Sequence, residues 1–349
     1  MGTTTQSSKK ISLFFFMIFL LLPACFQDNP SEDRGHHKLT VYAYDSFANE
    51  WGIGPLVTQE FEKKCQCRLE LIPAGDGAEL LTRLELENQH LHEIRADVAI
   101  GIDGFHLSRA RTLGIFKQVP PPSYPLRHEV QNQDLLFFPF DWGVFSLVRD
   151  TKNLPLKIQS IADLTQTTLQ KKLLLQDPRT STPGMGFLLT AASLYPSSAE
   201  LSQFLKKLKP NLLTITPGWS LAYGMFKKGE APLVWSYTTS PVYHLKNEGS
   251  NRYQADLFKE GSLIQIEYVA VTQKGASNPY TQIFLEVLFS QEIQSEIPLK
   301  NYMYPARKNV KLPKEFDTVP LPKKILNPAQ INSKTQLEWI SLWKNIFQN

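Results

Sequence analysis

Cysteine is scarce in this chain, with three residues among 349. Cys65 and Cys67 flank Gln66, and no second pair of cysteines or histidines lies at a spacing that suits zinc, so a structural zinc site is not expected. The two cysteines could close a small disulfide ring in an oxidising compartment, or they could stay reduced. The sequence leaves both states open.

The chain also lacks a strong excess of positive charge. It carries 37 lysines and arginines against 33 acidic residues, a formal net charge of +4. Two of the lysines fall in an N-terminal segment that we predict to be removed, so the mature chain is closer still to neutral. No dense stripe of basic residues remains, and we therefore expect no nucleic-acid partner.

Long apolar runs are missing except at the N-terminus, where residues 11–22 follow Lys9 and Lys10. This run is too short to span a bilayer, and the pattern predicts that residues 1–24 are a secretory signal peptide. Residues 22–25 read LPAC, which resembles the lipobox that directs lipidation of its cysteine. We expect an extracytoplasmic lipoprotein anchored to the membrane through Cys25, with residues 25–38 as a polar linker. The alternative is a plain signal peptide that happens to end in cysteine.

Strand and helix patterns alternate through the remaining residues, about 320 in number, which is too long for one typical core and suits two lobes. From residue 39 the order is strand, helix, strand, helix, strand, typical of a parallel sheet with crossover helices. A second such series begins near Gly143, and alternating residues 262–271 return the chain. We predict an α/β fold whose two lobes enclose a ligand cleft. Lobe 1 comprises residues 39–142 and 264–309, lobe 2 comprises residues 143–263, and residues 310–349 form a C-terminal helical segment packed on the lobes.

Two loops of lobe 1 follow predicted strands, which is where ligands bind in open α/β sheets. The first loop carries Tyr44, Asp45 and Trp51. The second contains Asp76 and Gly77, directly before a predicted helix. An aspartate at that position is typical of a helix N-cap, and it also suits a cation in a cleft, so both roles stay open.

Two hydroxyl-rich loops of lobe 2 also follow predicted strands. Ser181 and Thr182 precede a proline, and Ser240 precedes Pro241, so each loop predicts a helix with an N-cap hydroxyl and proline in its first turn. Such a helix start presents backbone N–H groups that bind an anion. Two ordinary capped helices are the alternative, but they do not account for four consecutive hydroxyl-bearing residues before the second helix. Those residues are Tyr237, Thr238, Thr239 and Ser240.

Aromatic residues cluster around the same loops. Rings that face a carboxylate suit a flat cation, because each ring face attracts positive charge by roughly 0.5–2 kcal/mol. We predict that Trp235, inside a strand, belongs to the core, whereas Trp219 follows a Thr-Pro-Gly turn where a core residue is less expected. The clustered residues are Tyr44, Trp51, Trp219, Tyr223, Trp235, Tyr237, Tyr243, Tyr302 and Tyr304.

Several of these loops together resemble the thiamine-binding proteins of bacterial ABC importers. The runs that carry the resemblance are YAYDSF (42–47), CQC (65–67), QDPRTSTPG (176–184), GWSLAYG (218–224), SYTTSPVYH (236–244) and NYMYP (301–305). The resemblance covers nearly the whole mature chain. It implies a monomer with a type II periplasmic binding protein fold that closes around thiamine or its mono- or diphosphate. It also implies that the protein serves an ABC permease and its ATPase.

The resemblance also implies which residues contact the ligand. Tyr302 departs from the pattern, because the family usually has tryptophan there; a tyrosine keeps a stacking face of smaller area. The implied ligand-binding residues are Tyr44, Asp45, Trp51, Asp76, Gly77, Ser181, Thr182, Trp219, Tyr237, Thr238, Thr239, Ser240, Pro241, Tyr243 and Tyr302.

Two other functions fit the same fold class. A thiaminase I-like enzyme needs a cysteine nucleophile, but Cys25 is assigned to lipidation, and Cys65 and Cys67 lie outside the predicted cleft loops. A metal binder of this class often uses adjacent tyrosines, which the chain lacks, and His90 and His92 lie at a polar helix end. We therefore expect a binding protein without catalytic activity, cofactor or metal.

Overall fold

The structure, a computed structural model, describes residues 37–131, 134–327 and 333–348 together with Gly2. Apart from Gly2, the predicted signal peptide, Cys25 and the linker up to residue 36 lie outside the described residues. Among the helices that the structure describes, none has both the length and the apolar character needed to cross a bilayer.

Lobe 1 is built on the predicted alternation of strands and helices. Its elements are β1 (Lys38–Ala43), α1 (Asp45–Ala48), α2 (Gly54–Cys65), β2 (Arg68–Pro73), α3 (Gly77–Leu86), β3 (Val98–Asp103) and α4 (Leu107–Thr112). Strand β1 pairs in parallel with β2 on one side and β3 on the other. It is buried after its first residue, as expected for a parallel strand covered on both faces. Leu80, Leu81 and Leu84 form the buried face of α3, as the helical periodicity predicts.

A single long strand, β4 (Phe137–Asp150), connects the two lobes. The sequence indicated a strand that begins near Gly143, but the apolar residues before it extend the strand backwards, and all fourteen residues are buried. The first half of β4, up to Val144, pairs with the returning strand β9 (Ile264–Val271) of lobe 1. From Phe145 onward β4 pairs with strands of lobe 2.

Lobe 2 repeats the α/β alternation. Its elements are β5 (Leu173–Gln176), α5 (Thr182–Leu194), α6 (Ser198–Leu208), β6 (Leu212–Thr216), α7 (Trp219–Lys227), β7 (Leu233–Tyr237), α8 (Pro241–Glu248) and β8 (Tyr253–Asp256). The strands lie in the order β4-β7-β5-β6, with β7, β5 and β6 parallel, and β8 pairs with β4. Helices α5, α7 and α8 therefore each begin beyond the carboxyl end of a parallel strand, on the side that faces lobe 1.

The two passages of the chain between the lobes lie next to each other. The N–H of Phe145 donates to the carbonyl of Leu263, 3.1 Å away, just where β4 passes into lobe 2 and β9 begins. Strand β9 then pairs with both β3 and β4 in lobe 1. The chain thus crosses between the lobes here twice, on adjacent backbones.

The C-terminal part of the chain returns from lobe 1 to lobe 2. It contains α9 (Gln273–Ala276), α10 (Thr281–Leu288), α11 (Gln291–Lys300), β10 (Tyr304–Pro305) and α12 (Ser333–Phe347). In the segment predicted as helical, residues 310–349, the described α-helix is α12, whereas residues 310–327 hold only a short 3-10 turn (Lys314–Thr318). Trp343 of α12 meets Phe187 of α5 edge-on, with ring centroids 6.4 Å apart.

The paired cysteines are oxidised in the structure. Cys65 ends α2, Cys67 precedes β2, and the two are joined in a disulfide. Gln66 between them takes the left-handed conformation, with φ of 53°, which ends the helix and turns the chain.

Candidate functional site

A cavity of about 440 Å³ lies between the lobes. Residues from both lobes line it, and ten of the fifteen residues implied by the motifs are among them. These ten are Tyr44, Trp51, Asp76, Gly77, Thr182, Trp219, Tyr237, Ser240, Tyr243 and Tyr302.

Asp76 extends from lobe 1 across the cleft to lobe 2. Its Oδ2 accepts a hydrogen bond from the Ser181 hydroxyl at 2.6 Å and another from the backbone N–H of Trp219 at 3.0 Å. The residue stands at the N-cap position of α3, yet its side chain makes no capping bond, so the capping role is not observed. Burial raises the pKa of Asp76 to about 6, although these two hydrogen bonds oppose the shift.

Asp103 makes a second connection between the lobes. The Thr182 hydroxyl, at the start of α5, donates to Asp103 Oδ2 at 2.5 Å, and the His106 ring lies 2.9 Å from the same carboxylate. Burial alone would raise the pKa of Asp103, but the His106 ring and the Thr182 hydroxyl outweigh it and lower the pKa. The carboxylate is therefore charged and holds the Thr182 hydroxyl as its donor.

The starts of α3 and α5 are packed closely at this junction. Gly77 begins α3, and a Cβ atom placed on it would lie 2.6 Å from the Gly101 carbonyl and 2.8 Å from the Thr182 hydroxyl. A side chain at residue 77 would collide with β3 of its own lobe and with the Thr182 hydroxyl of lobe 2. Glycine therefore suits this close approach of α3 to β3 and α5.

A stack of aromatic rings forms the wall of lobe 2. Trp219 and Tyr223 lie parallel, with ring centroids 4.9 Å apart, and Trp219 Nε1 donates to the Ser236 hydroxyl at 2.7 Å. Trp219 is the first residue of α7, not part of a preceding turn. Trp51 of lobe 1 approaches it at 6.5 Å while remaining 47% exposed at the mouth of the cleft.

Tyr243 and Tyr302 form a second aromatic group at the cavity. Their rings meet edge-on at 5.4 Å, and Asn247 donates to the Tyr302 hydroxyl at 2.8 Å. Lys227 lies 4.5 Å from the centre of the Tyr243 ring, so a positive charge sits beside this group. Tyr302 itself has a left-handed backbone, with φ of 54°.

The floor of the cleft is polar. The Tyr237 hydroxyl donates to Gln265 on β9, and the Tyr237 ring stacks on Phe145 with centroids 5.1 Å apart. Gln265 in turn donates to Glu267 Oε1 at 2.8 Å. Tyr237 is therefore held by lobe 1 through its hydroxyl and by its own lobe through its ring.

Five of the implied residues do not line the cavity. Asp45 begins α1 and accepts a hydrogen bond from the Gly75 N–H, and Ser181 is directed to Asp76. Thr238 and Thr239 are buried beside the cavity, and neither hydroxyl has a hydrogen-bond partner within the described part of the chain. Pro241 is the first residue of α8.

The two helices begin within one residue of the predicted positions, but the predicted capping hydroxyls were wrong. Thr182, predicted as the cap directly before Pro183, is instead the first residue of α5, and its hydroxyl donates to Asp103. Neither Ser181 nor Ser240 caps its helix with its side chain. Ser181 bonds Asp76 across the cleft, and Ser240 lies 2.7 Å from the Ser236 hydroxyl and accepts from the Tyr237 N–H. The partner of Ser181 is distant in the sequence, whereas the partners of Ser240 lie within four residues of it, in the preceding strand β7.

Several lining residues were missed by sequence reasoning. Gln265 and Glu267 alternate with isoleucine on a buried strand, and polar residues inside such an apolar run were a signal that could have marked them. Tyr223 belonged to the aromatic cluster without being assigned to the ligand. The missed residues are Ser46, Asn49, Gly101, Pro183, Ser220, Tyr223, Gly224, Lys227, Gln265, Glu267, Asn301 and Met303.

The side chains of the described residues form no cluster of three or more histidines, cysteines or acids with the geometry to hold a metal ion. The chemistry of the cleft thus lies in carboxylates, ring faces, hydroxyls and one lysine among its described lining residues.

Comparison with known proteins places the chain in a family. Residues 145–297 match the family model described as bacterial extracellular solute-binding protein. The chain is 42% identical to the thiamine-binding periplasmic protein of Brucella melitensis biotype 1, over 95% of this chain and 97% of that protein. It is 40% identical to the thiamine-binding periplasmic protein of Escherichia coli strain K12, over 88% and 92% of the two chains.

Solved structures give the same result. The fold matches that of a periplasmic thiamin binding protein with a TM-score of 0.83 and 38% identity, over 89% of this chain and 96% of that one. A ferric binding protein from Campylobacter jejuni matches with a TM-score of 0.71 at 20% identity, over 88% of this chain and 99% of that one, which shows a shared fold alone. The two-lobed α/β class and the family predicted from the motifs are both confirmed. The chain belongs to the family of thiamine-binding periplasmic proteins.

Proposed function

We propose that this chain captures thiamine, or thiamine mono- or diphosphate, outside the cytoplasm and delivers it to the permease and ATPase of an ABC importer. The observation that carries the proposal is a cleft in which Asp76 faces the stacked rings of Trp219 and Tyr223. Its volume of about 440 Å³ falls within the range of roughly 300–1,000 Å³ typical of small-molecule sites. The names of the relatives from Brucella melitensis and Escherichia coli support the same ligand.

The cationic part of the ligand accounts for the acids and the rings. Thiamine joins a flat aminopyrimidine to a positively charged thiazolium ring. Ring faces attract such a cation, and the attraction grows when water is excluded. Asp76 and Glu267 add negative charge at the same cavity, so a neutral ring of equal size would bind less well.

The starts of two helices at the cavity suit the phosphate end of the ligand. Thr182 begins α5, and Ser240 directly precedes α8; both line the cavity. Helix starts bind anions through their backbone N–H groups, and Lys227 supplies a full positive charge nearby. These groups would accept a phosphate ester without displacing the cationic rings.

Tight capture of so small a ligand requires enclosure. A nanomolar Kd corresponds to about −12 kcal/mol, shared among roughly 18 heavy atoms, or about 0.7 kcal/mol per atom. We therefore propose that lobe 1 and lobe 2 close about the crossing at Phe145 and Leu263. Small-angle scattering should show a smaller radius of gyration with thiamine than without it, and an identical profile at saturation would contradict closure.

We propose binding without catalysis. A thiaminase-like reaction needs a free thiolate in the cleft, whereas Cys65 and Cys67 are joined in a disulfide at the end of α2. Incubation with thiamine and an added base should yield no pyrimidine exchange product; the appearance of one would make the chain an enzyme.

The location and assembly state extend the proposal. We expect cleavage after residue 24, lipidation of Cys25, and a monomer tethered through residues 25–38. Radiolabelled palmitate should be incorporated into the wild type and not into Cys25→Ser, and a wild type that takes up no label would refute the anchor. Light scattering of protein expressed from residue 26 onward should give the mass of one chain.

The binding proposal is tested by intrinsic tryptophan fluorescence on ligand-stripped protein, titrated in parallel with thiamine, its monophosphate, its diphosphate and pyrithiamine. Saturable changes with at least one form of thiamine are expected, and the ranking of the four Kd values gives the preferred phosphorylation state. A flat response to all four, together with no competition in equilibrium dialysis, would overturn the proposed function.

A further inference from the structure

Two acidic side chains stand opposite each other beneath the cleft. Asp141 on β4 and Glu267 on β9 are direct cross-strand partners in the antiparallel ladder. Glu267 lines the cavity and is 8% exposed, whereas Asp141 lies behind it and is fully buried. Like charges in such facing positions repel each other, and burial removes the water that would weaken the repulsion.

One oxygen of each carboxyl group lacks a hydrogen-bond donor. Asp141 Oδ1 and Glu267 Oε2 are buried, and neither accepts a hydrogen bond within the described ranges. Directly opposite residues of an antiparallel pair have Cβ atoms roughly 4.5–5.5 Å apart, so the two carboxyl groups are within reach of each other. A single proton between them would satisfy both oxygens at once.

The surrounding groups hold this pair in place. Asn301 donates to Asp141 Oδ2 and, at 2.7 Å, to the Tyr44 hydroxyl, which lies beside Glu267. Gln265 donates to Glu267 Oε1 at 2.8 Å. These donors occupy the other carboxyl oxygens.

The other titratable groups that face the pair are acids and a tyrosine. They are Asp76 before α3, Asp103 at the end of β3 and Tyr237 at the end of β7. Lys227 is the one lysine or arginine among the described lining residues, and it lies over the ring of Tyr243.

The direction of ionisation follows from these surroundings. Burial raises the pKa of both carboxyl groups, and the facing Glu267 carboxylate raises that of Asp141 further, well above its usual range. For Glu267, hydrogen bonds from Tyr44 and Asp141 oppose the rise. The proton therefore stays on Asp141, and Glu267 is the member of the pair that ionises first.

We propose that Asp141 is a positioning residue that stays neutral and donates its proton to Glu267, so that Glu267 presents a carboxylate to the positive ring of the ligand. The inference rests on the proposed function, because it needs a cationic ligand in the cleft. A cation binds more tightly once Glu267 is ionised, so binding releases a proton and strengthens as the pH rises.

The test measures the Kd for thiamine by calorimetry from about pH 6.5 to about pH 8.5, a window in which Asp76, with its pKa of about 6, is largely ionised. For the wild type the Kd should fall roughly three- to tenfold across this range. Glu267→Gln should abolish this pH dependence. Asp141→Ala removes the donor and should move the rise in affinity to higher pH, which weakens binding near pH 7 several-fold. Asp141→Asn should restore the wild-type profile, because its amide donates as the protonated acid does.

Two further measurements distinguish loss of the Asp141 donor from poor folding of a variant. Asp141→Ala should regain affinity near pH 9, which a misfolded protein would not do. Wild-type binding heats in buffers of different ionisation enthalpy should reveal release of a fraction of a proton per thiamine at pH 7.

Zero release by the wild type, or a Glu267→Gln profile equal to that of the wild type, would overturn the inference while leaving the proposed function standing. If Asp141→Asn behaved like Asp141→Ala, Asp141 would not act as a neutral donor. No thiamine binding by the wild type at any pH would instead sink the proposed function.

Discussion

The two faces of the cleft differ in chemistry. Lobe 1 supplies the carboxylates, with Asp76 and Glu267 at the cavity and Asp103 and Asp141 behind them. Acids at this density repel each other and are stabilised by hydroxyl, amide and imidazole donors. This face attracts a cation and adds the rings of Tyr44, Trp51 and Tyr302, but its described lining residues include no pair of parallel stacked rings.

Lobe 2 supplies stacked ring faces and hydroxyl donors. Trp219 and Tyr223 form a parallel stack, and the hydroxyls of Ser181 and Thr182 extend to the acids of lobe 1. Neither face makes a complete site for a flat cation. Selectivity for a flat cation therefore requires both lobes, and substitutions on each lobe can test its role separately.

The largest effect is expected from Asp76→Ala, which removes the carboxylate that joins the two faces. The Ser181 hydroxyl and the Trp219 N–H would lose their acceptor, and the ligand would lose a facing charge. Thiamine affinity should fall by about 2–5 kcal/mol. Asp76→Asn separates the two causes, because it keeps an acceptor and removes the charge. Asp317→Ala, an exposed acid outside the cavity lining, is the matched control and should bind as the wild type does.

Trp219→Ala tests the face of lobe 2 and should weaken thiamine binding by roughly 1–3 kcal/mol. The change removes the ring that stacks on Tyr223 and the Nε1 donor to Ser236. Calorimetry gives the loss, and Trp339→Phe on α12 controls for the removal of an indole elsewhere. A loss within error would mean that Trp219 supports the fold and does not contact the ligand.

A smaller effect is expected on the pH dependence of folding stability, through Asp76 on the lobe 1 face. In the folded protein the pKa of Asp76 is raised to about 6, above its unfolded value, so folding favours the protonated acid. This contribution to stability is present at low pH and is lost as the pH rises through the folded-state pKa. Between pH 5 and pH 7 the free energy of unfolding of the ligand-free protein should fall by about 1 kcal/mol because of Asp76. Thermal unfolding of Asp76→Asn should lack that part of the dependence; parallel curves for the two proteins would contradict the assignment.

The smallest effect is expected from Trp51→Ala. Trp51 is 47% exposed and touches Trp219 only at the mouth of the cleft, with centroids 6.5 Å apart. The loss of thiamine affinity should be about 0.5–1 kcal/mol. A loss as large as that of Trp219→Ala would mean that lobe 1 also supplies an essential ring face.

Much of the fold could be predicted because its signals are local. The apolar run that became β1 and the leucines on one side of α3 follow periodicities that survive folding unchanged. The prolines after Thr182 and Ser240 marked the helix starts for the same reason. Long-range contacts decided the remainder: β4 continues through both lobes because partners from both lie beside it.

The site was predicted in part for the same reason. Motif positions such as Asp76 and Trp219 line the cavity, but the partners that set their chemistry lie far away in the sequence. Asp141 and Glu267 meet only because β4 and β9 pair across more than a hundred residues. The spacing of residues in the sequence does not predict such a pair, because each acid stands in the sequence as an isolated polar residue in an apolar strand.

The central claim is that the acids of lobe 1 and the rings of lobe 2 bind a flat cation together. Calorimetry on ligand-stripped protein tests it most directly, with thiamine and with thiochrome, the flat neutral oxidation product of thiamine. We predict one thiamine per chain, bound at least about tenfold more tightly than thiochrome because only thiamine carries the charge that the lobe 1 acids attract. No heat with thiamine or either of its phosphates, or equal affinity for the neutral compound, would contradict the account.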